Sequence, residues 1–359
     1  MENYAVSFCI PTYNRSELIW KVVTEILAST ESGFQVVVSD NGSTDNTWER
    51  LSTISDTRLK LCRNPYAAEP PQLNWLNALN EGDGKWLYLV MGRDLILADH
   101  IPELISRLKI AEKKKVAYVY ENYENSQGVT LQCRYYTKKA DALQRFMCYA
   151  HPTGHIFRKD AFDRISDKEK ACMCIDVYFD HYIKSKIIEN WNCLELPPIV
   201  NKEVGWAWGG SAPRSISDVD PESLYYFPKR RIRQVIQTMD LIRQNSLSAA
   251  EHDMLFIDQW KILITKVSVD FKYLSEDKWM ARHYGVKCRI VSNGEMIRNI
   301  LWAYREVNHH FPHMSFQRKI KMFHVMVIKI NGIFKMILNS CYMRMKAYAK
   351  QIYACINMR

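Results

Sequence analysis

Two short apolar runs near the start of the chain each stop abruptly in polar, turn-forming residues. Residues 6–10 read VSFCI and lead into PTYNR at 11–15, whereas residues 36–39 read VVVS and lead into DNGSTD at 40–45. A helix-like stretch separates them, which is the pattern of a βαβ unit with strands buried on both faces. Ligands bind outside the carboxyl ends of such strands. The sequence therefore predicts one crevice lined by both polar clusters.

The alternation of strands and helices continues for about 120 residues. Further strands are predicted at 59–62, 86–91 and 116–123, and helices at 16–32, 46–54, 71–80 and 101–111. This order predicts an α/β class with a mainly parallel sheet. After Pro221 the sequence predicts long helices, one of them opened by a capping box from Ser248 to Glu251. We therefore predict an α/β domain over 1–215, a helical domain over 216–310 and a basic helical tail over 311–359.

The amino-acid composition and the cysteine spacing indicate what class of protein this is. Hydrophobic residues make up 47% and charged residues 25% of the 359 residues, which is typical of a globular protein and argues against disorder. The ten cysteines are scattered without the spacing of a zinc site, which is typical of buried thiols in a reducing compartment. No run of 18 apolar residues and no leader pattern occurs in the sequence. These features predict a cytoplasmic protein.

The two polar clusters resemble the nucleotide-sugar site of family 2 glycosyltransferases, which have the GT-A fold, a Rossmann-like α/β architecture. The resemblance covers roughly the first 210 residues. It implies that the segment from Pro11 to Arg15 contacts the nucleotide base and that Asp40 hydrogen-bonds it. Arg63 either reaches a phosphate or is a solvated surface residue. The predicted donor-binding residues are Pro11, Thr12, Tyr13, Asn14, Arg15, Asp40, Asn41, Arg63, Arg93 and Asp94.

The end of the predicted fourth strand departs from the family pattern. The family has an Asp-x-Asp motif there that holds Mg²⁺ or Mn²⁺, whereas this chain has Met91-Gly92-Arg93-Asp94. Hard divalent cations need oxygen ligands, so Asp94 is the candidate metal ligand. Three alternatives stay open: Asp94 alone anchors a metal, Arg93 replaces the metal as a fixed cation, or the domain is inactive.

The resemblance also implies an acceptor half. The segment from His151 to Lys159 resembles the strand that enters the acceptor site, with His155 as an acceptor-binding candidate. The family then places an acidic general base at the start of a helix. Counting back from Leu196-Pro197 favours Asp180, with Asp176 one helical turn away as the second candidate. Inverting transfer needs such a base because the attacking hydroxyl loses its proton. Trp206 and Trp208 form either an acceptor platform or ordinary packing.

The tail has an unusual charge distribution. No Asp or Glu occurs after residue 306, and nine of the residues there are Lys or Arg, whereas the rest of the chain is nearly neutral. Apolar residues recur at helical spacing: Ile320, Phe323, Val327, Ile330, Phe334, Ile337 and Cys341. A basic amphipathic helix favours an anionic membrane surface, and the alternative is a helix packed on the body. Nucleic-acid binding is disfavoured because the body carries no recognition motif.

The resemblance implies an inverting transferase that moves a sugar from a nucleotide diphosphate donor, UDP or another pyrimidine nucleotide, to a lipid-linked or growing glycan. Such enzymes build bacterial surface polysaccharides. The predicted location is the inner face of the cell membrane, as a peripheral protein. Two other functions stay open, namely a catalytically inactive glycan-binding scaffold with this fold and a nucleotidyltransferase. The latter lacks a phosphate-binding loop after the first strand.

Overall fold

The computed structural model describes residues 4–92, 94–122, 132–148, 152–169, 179–202, 228–270 and 292–356. The strands are β1 Val6–Thr12, β2 Phe34–Asp40, β3 Leu59–Arg63, β4 Trp86–Leu89, β5 Leu95–Ile96, β6 Val116–Glu121, β7 Arg134–Tyr136, β8 His155–Arg158, β9 Asn192–Leu196 and β10 Asn201–Lys202. The helices are α1 Ser16–Leu27, α2 Thr47–Leu51, α3 Gln72–Asn80, α4 Ile101–Lys113, α5 Lys139–Phe146, α6 Lys159–Asp163, α7 Phe179–Ile188, α8 Pro228–Arg243, α9 Ala249–Thr265, α10 Asn293–His310 and α11 Phe316–Ile356.

Eight strands form one sheet in the order β3-β2-β1-β4-β8-β6-β9-β7. The four neighbouring strands β3, β2, β1 and β4 are parallel to one another, and β6 is parallel to β9. Strand β8 runs antiparallel to both of its neighbours, β4 and β6. The mainly parallel α/β fold predicted from the sequence is thus confirmed. A separate two-stranded sheet pairs β5 with β10. The chain divides into two compact units, residues 1–214 with 240–251 and residues 215–239 with 252–359.

The sheet is buried because its strands are apolar on both faces. Every residue of β1, β2, β4 and β6 is buried, and α1 and α4 contribute Ile19, Val23 and Leu104 to the same core. Several predicted elements extend beyond the observed ones, since α1 ends at Leu27, α2 at Leu51, β4 at Leu89 and β6 at Glu121. The polar residues that follow each strand end form the loops of the candidate site.

The helical unit has its own core, centred on Trp260, which is fully buried and donates its indole N–H to the carbonyl of Met322. The capping box predicted at α9 is confirmed, since the Ser248 hydroxyl accepts from the Glu251 amide and the Glu251 carboxylate accepts from the Ser248 amide.

Helix α11 contacts the helical core mainly through a face beside the predicted apolar stripe. Met322, Met326 and Ile333 are buried, whereas Ile320 and Phe323 of the stripe keep about half of their surface exposed. Among the described side chains of the stripe, Ile330 and Ile337 pack partly against this core, and the Phe323 ring meets the Tyr304 ring edge-on with centroids 6.3 Å apart. The sequence thus contains two neighbouring apolar stripes at helical spacing, and the predicted one is the more exposed.

Candidate active site

Asp40, the last residue of β2, lies at the carboxyl edge of the sheet and is fully buried. Its Oδ1 accepts hydrogen bonds from the Ser43 amide, at 3.1 Å, and from the Ser43 hydroxyl. Its Oδ2 has no hydrogen-bond partner within the described residues, although the Arg63 Nε lies 3.3 Å away as an ion-pair partner. Asp40 therefore has one oxygen fixed by its own turn and one oxygen that can accept from a ligand.

Thr12, the last residue of β1, stands directly beside Asp40 in the parallel register. Its hydroxyl is also buried and has no hydrogen-bond partner within the described ranges. A buried polar group without a partner costs about 1–3 kcal/mol, so two adjacent ones need an explanation. A base edge that offers both donors and acceptors would satisfy both groups.

The aromatic and proline residues of the same segment differ in exposure. Pro11 is buried in the strand, whereas Tyr13 is 39% exposed. Tyr13 is thus the accessible aromatic ring next to Thr12 and Asp40, as the resemblance implies for base contact.

Other predicted donor-binding residues hold the two turns together. Asn14, at a φ of 50°, accepts from the Thr44 amide at 2.8 Å, and its own amide donates to the Ser43 hydroxyl. The Arg15 amide donates to the Thr47 hydroxyl. Arg63 donates to the Ser43 carbonyl in addition to pairing with Asp40, so its guanidinium is anchored at the turn that follows β2.

Asn41 anchors the loop that follows β3. Its side-chain oxygen accepts from the Ala68 amide at 2.9 Å and from the Asn64 side chain at 2.8 Å. Gly42, at a φ of +71°, lies so close that a Cβ would stand 2.8 Å from the backbone carbon of Tyr66. Only glycine fits this approach. The sequence reasoning missed Asn64, whose role depends on a contact between segments more than 20 residues apart.

Asp94, 2% exposed, follows the turn after β4. Its Oδ2 accepts from the Thr153 hydroxyl, and that hydroxyl in turn accepts from the Met91 amide at 2.8 Å. Among the described residues no group of three or more His, Cys, Asp or Glu side chains is arranged to hold a metal. A single carboxylate still fits Mg²⁺ when the remaining ligands are water and substrate phosphates. Arg93 lies outside the described residues.

Glu121, at the end of β6, fixes the segment that leads into β10. Its fully buried carboxylate accepts from the backbone amides of Ile199, Val200 and Asn201 at 2.7–2.8 Å and from the Tyr88 hydroxyl at 3.1 Å. Burial raises the pKa of Glu121 to about 7, although these hydrogen bonds oppose the shift. No local sequence signal identified this residue, because its partners are almost 80 residues away.

His155 and Asp180 meet because β8 is antiparallel. The first residue of β8, His155, pairs with Leu89 of β4 and Tyr120 of β6, so it lies at the edge where those strands end. Its Nε2 is 3.5 Å from Asp180 Oδ2, and its Nδ1 is 2.7 Å from the Tyr118 hydroxyl. His155 is only 1% exposed. Its position therefore suits orienting Asp180 better than touching an acceptor.

Asp180 forms a buried ion pair within α7. Lys184, one turn later, is completely buried and places its Nζ 2.7 Å from Asp180 Oδ2. Burial by itself raises the pKa of Asp180, but attraction by Lys184, reinforced by His155 and His181, outweighs it and lowers that pKa well below its usual value. Asp180 is therefore ionised at neutral pH. Asp176, Trp206 and Trp208 lie outside the described residues.

The sequence profile of the family described as glycosyl transferase family 2 matches residues 7–166, the stretch that carries Asp40, Asp94 and His155. Residues 7–166 of this chain, just under half of its length, are therefore similar to glycosyl transferase family 2. Among solved structures, Staphylococcus aureus TarS 1–349 is similar, with a TM-score of 0.55, 15% identity and coverage of 91% of each chain. TarS 1–349 in complex with UDP gives a TM-score of 0.51 at 16% identity, covering 94% of this chain and 91% of that one. The fold of the region that matches family 2 is thus the GT-A type that the resemblance implied.

Two curated relatives come from Escherichia coli, and both are named UDP-Glc:alpha-D-GlcNAc-diphosphoundecaprenol beta-1,3-glucosyltransferase. WfgD is 29% identical over 124 residues, which are 34% of this chain and 47% of WfgD. WfaP is 26% identical over 118 residues, covering 33% of this chain and 45% of WfaP. The chain thus spans about half the length of the curated relatives that it matches.

Proposed function

We propose that this protein is an inverting glycosyltransferase that uses a nucleotide diphosphate-sugar and acts in surface polysaccharide synthesis. The observation that carries the proposal is a pair of buried atoms with no hydrogen-bond partner among the described residues, Thr12 Oγ1 and Asp40 Oδ2, at the carboxyl edge of the region that matches family 2. Tyr13 stands exposed beside them. A pyrimidine base is the ligand whose edge and face match these three groups.

UDP is the first nucleotide to test, because WfgD and WfaP are named for a UDP-glucose donor. Calorimetry with UDP should give a dissociation constant that Asp40→Asn weakens about ten-fold or more, since a hydrogen bond to a charged group contributes about 1.5–3 kcal/mol. Asp56 is the control position, because its carboxylate pairs with Arg58 outside the crevice. Equal UDP affinity in wild type and Asp40→Asn would refute the base assignment.

The acceptor half supports a lipid-linked or growing glycan as the second substrate. Both E. coli relatives are named for a diphosphoundecaprenol-linked acceptor. Asp180 is our candidate general base, because it lies at the start of α7 and beside His155 at the strand edge. At a temperature where thermal melting shows the variant to be folded, Asp180→Asn should lower transfer by roughly 10²–10⁴-fold while donor affinity stays nearly unchanged. If Asp176→Asn shows that loss instead, the base is Asp176.

Asp94 is the residue that would hold a divalent cation in this proposal. The cation would neutralise charge on the leaving diphosphate, and Thr153 would keep the Asp94 carboxylate in place. Transfer measured with EDTA and then with added Mg²⁺ or Mn²⁺ tests this role. Full activity in EDTA would favour Arg93 as a fixed cation instead. The inactive scaffold and the nucleotidyltransferase are not favoured by any contact in the described residues.

We also propose that the protein docks on the anionic inner face of the cell membrane through α11. Successive helical residues are about 100° apart, which places Phe316, Ile320, Phe323, Phe334 and Leu338 along one side, all at least half exposed. The exposed Lys321, Lys335 and Lys346 follow a neighbouring line. No described helix is both long and apolar enough to cross a bilayer. Cys9, Cys62, Cys133, Cys148 and Cys193 are free thiols, which agrees with a cytoplasmic location.

Vesicle sedimentation tests this docking. The full chain should bind phosphatidylglycerol vesicles, dissociate from them as the salt concentration rises, and not bind phosphatidylcholine vesicles. The triple variant Ile320→Ser, Phe334→Ser, Leu338→Ser should lose binding without losing thermal stability, because these side chains are at least half exposed. Ile110→Ser in α4 is the control for an exposed apolar residue elsewhere. Absence of binding between the full chain and anionic vesicles at low salt concentration would refute membrane docking.

A further inference from the structure

Asn201 has a buried side-chain amide that makes no hydrogen bond. The residue is 2% exposed, and both its Nδ2 and its Oδ1 have no partner within the described part of the chain. Each unsatisfied buried group costs about 1–3 kcal/mol in the free protein. Such a group in a native fold needs an explanation, and a ligand that binds there is one.

The position of Asn201 connects it to the candidate active site. Strand β10 pairs with β5, where Asn201 stands opposite Ile96, two residues after Asp94. The Asn201 amide N–H donates to Glu121 at 2.8 Å, and Val200 and Ile199 donate to the same carboxylate oxygen. The backbone of Asn201 is therefore held by a buried anchor and cannot easily shift to satisfy the side chain.

The two unsatisfied atoms of Asn201 differ in chemistry, and the difference selects a ligand. Nδ2 needs an acceptor and Oδ1 needs a donor. A diphosphate oxygen supplies acceptors only and would leave Oδ1 unsatisfied. Hydroxyl groups both accept and donate, so neighbouring hydroxyls of a sugar ring can satisfy both atoms.

We propose that Asn201 binds hydroxyl groups of the transferred sugar and helps to select the donor. This inference rests on the proposed function, because it takes the sugar diphosphate to lie beside Asp94. It assigns to Asn201 a contact with the sugar, whereas Thr12 and Asp40 contact the base.

Asn201→Leu tests the assignment, because leucine has a similar volume and no polar atoms. If the amide serves a ligand, the ligand-free variant should melt at the wild-type temperature or higher, since replacing an unsatisfied polar group by an apolar one is nearly neutral. Asn122→Leu is the matched control. Asn122 is also buried, but its Nδ2 donates to Glu195 and to the Leu196 carbonyl, so its loss should lower the melting temperature.

Affinity supplies the second readout. Calorimetry should give Asn201→Leu the wild-type affinity for UDP but about ten-fold or weaker affinity for UDP-glucose or another UDP-sugar that the wild type binds. A melting temperature lowered as far as in Asn122→Leu would make Asn201 structural and overturn the proposal. So would unchanged UDP-sugar affinity, or equal weakening of UDP and UDP-sugar. A wild type that binds neither UDP nor any UDP-sugar would contradict the proposed function itself, and the assignment of Asn201 with it.

Discussion

Replacing Lys184 by methionine should strongly destabilise the unit formed by residues 1–214 and 240–251, which contains the large sheet, because Lys184 is the main counter-charge of Asp180. Lys184 is completely buried, and its Nζ lies 2.7 Å from Asp180 Oδ2. Removing one partner of a buried ion pair leaves an uncompensated charge and costs about 3–5 kcal/mol. For a unit of this size that corresponds to a fall in melting temperature of roughly 6–20 °C. Lys186→Met is the control, because Lys186 is partly exposed on the same helix.

The dependence on pH and on a second substitution makes this prediction specific. The lowered pKa of Asp180 means that its ion pair stabilises the wild type above the usual carboxyl pKa of 3.8, and this contribution is lost as pH falls through the lowered value. Burial raises the pKa of Asp180, and without Lys184 the effect of burial is opposed mainly by His155 and His181. The pKa of Asp180 should therefore rise in Lys184→Met. The variant should therefore be least destabilised in acid.

The double variant Asp180→Asn, Lys184→Met removes both charges and should recover much of the lost stability. Urea unfolding of the two single variants and the double variant measures the coupling energy. A loss below about 1 kcal/mol in Lys184→Met would refute the buried ion pair as the source of stability. So would a double variant no more stable than the single variant.

Three further predictions concern the loops of the site. Gly42→Ala should lower the free energy of unfolding by about 1–3 kcal/mol and weaken UDP binding, because a Cβ would meet the Tyr66 backbone. Gly294→Ala is the control for the same urea titration and should be neutral or stabilising, because the nearest described atom to its added Cβ is the Ser292 hydroxyl at 3.8 Å. Glu121→Gln should make the protein more stable than wild type above pH 7 but not below pH 4.5. The pKa of Glu121 is raised in the folded protein, so the wild type loses stability as pH rises through about 7, whereas the variant has no carboxyl group there to ionise. Equal pH profiles of the melting temperature would contradict the raised pKa of Glu121. Thr153→Val should reduce transfer while leaving UDP affinity intact, because it frees the Asp94 carboxylate; unchanged transfer would remove this role.

The positions of Asp40 and Asp94 were predictable from the sequence because they depend on a local rule. Each follows an apolar run, and parallel strands bring their carboxyl ends to one edge. The capping box at Ser248 was predictable for the same reason, since both of its hydrogen bonds lie within four residues. At these positions the sequence predicts the structure correctly, because the hydrogen bonds or strand ends that determine it involve residues close together in the chain.

The contacts around His155 and Glu121 were not predictable in this way. His155 reaches Asp180 only because β8 is antiparallel, and the sequence contains no local signal for strand direction there. Lys184 was not predicted at all, because lysines are rarely buried unless a partner compensates their charge. In α11 both stripes fit helical spacing, and only tertiary packing on Trp260 and its neighbours decides between them.

The buried groups of Thr12, Asp40 and Asn201 that have no hydrogen-bond partner among the described residues have a consequence for the lifetime of the protein in the cell. In the free protein these polar atoms lower the stability of the unit formed by residues 1–214 and 240–251. A bound ligand raises that stability by mass action, by about 2.7 kcal/mol at a concentration 100 times the dissociation constant. A change of 1–2 kcal/mol alters the steady-state abundance of many proteins several-fold through proteolysis. On the proposed function, the amount of this protein should therefore rise and fall with the supply of the nucleotide-sugar, so that a cell starved of that substrate also loses the protein that would consume it.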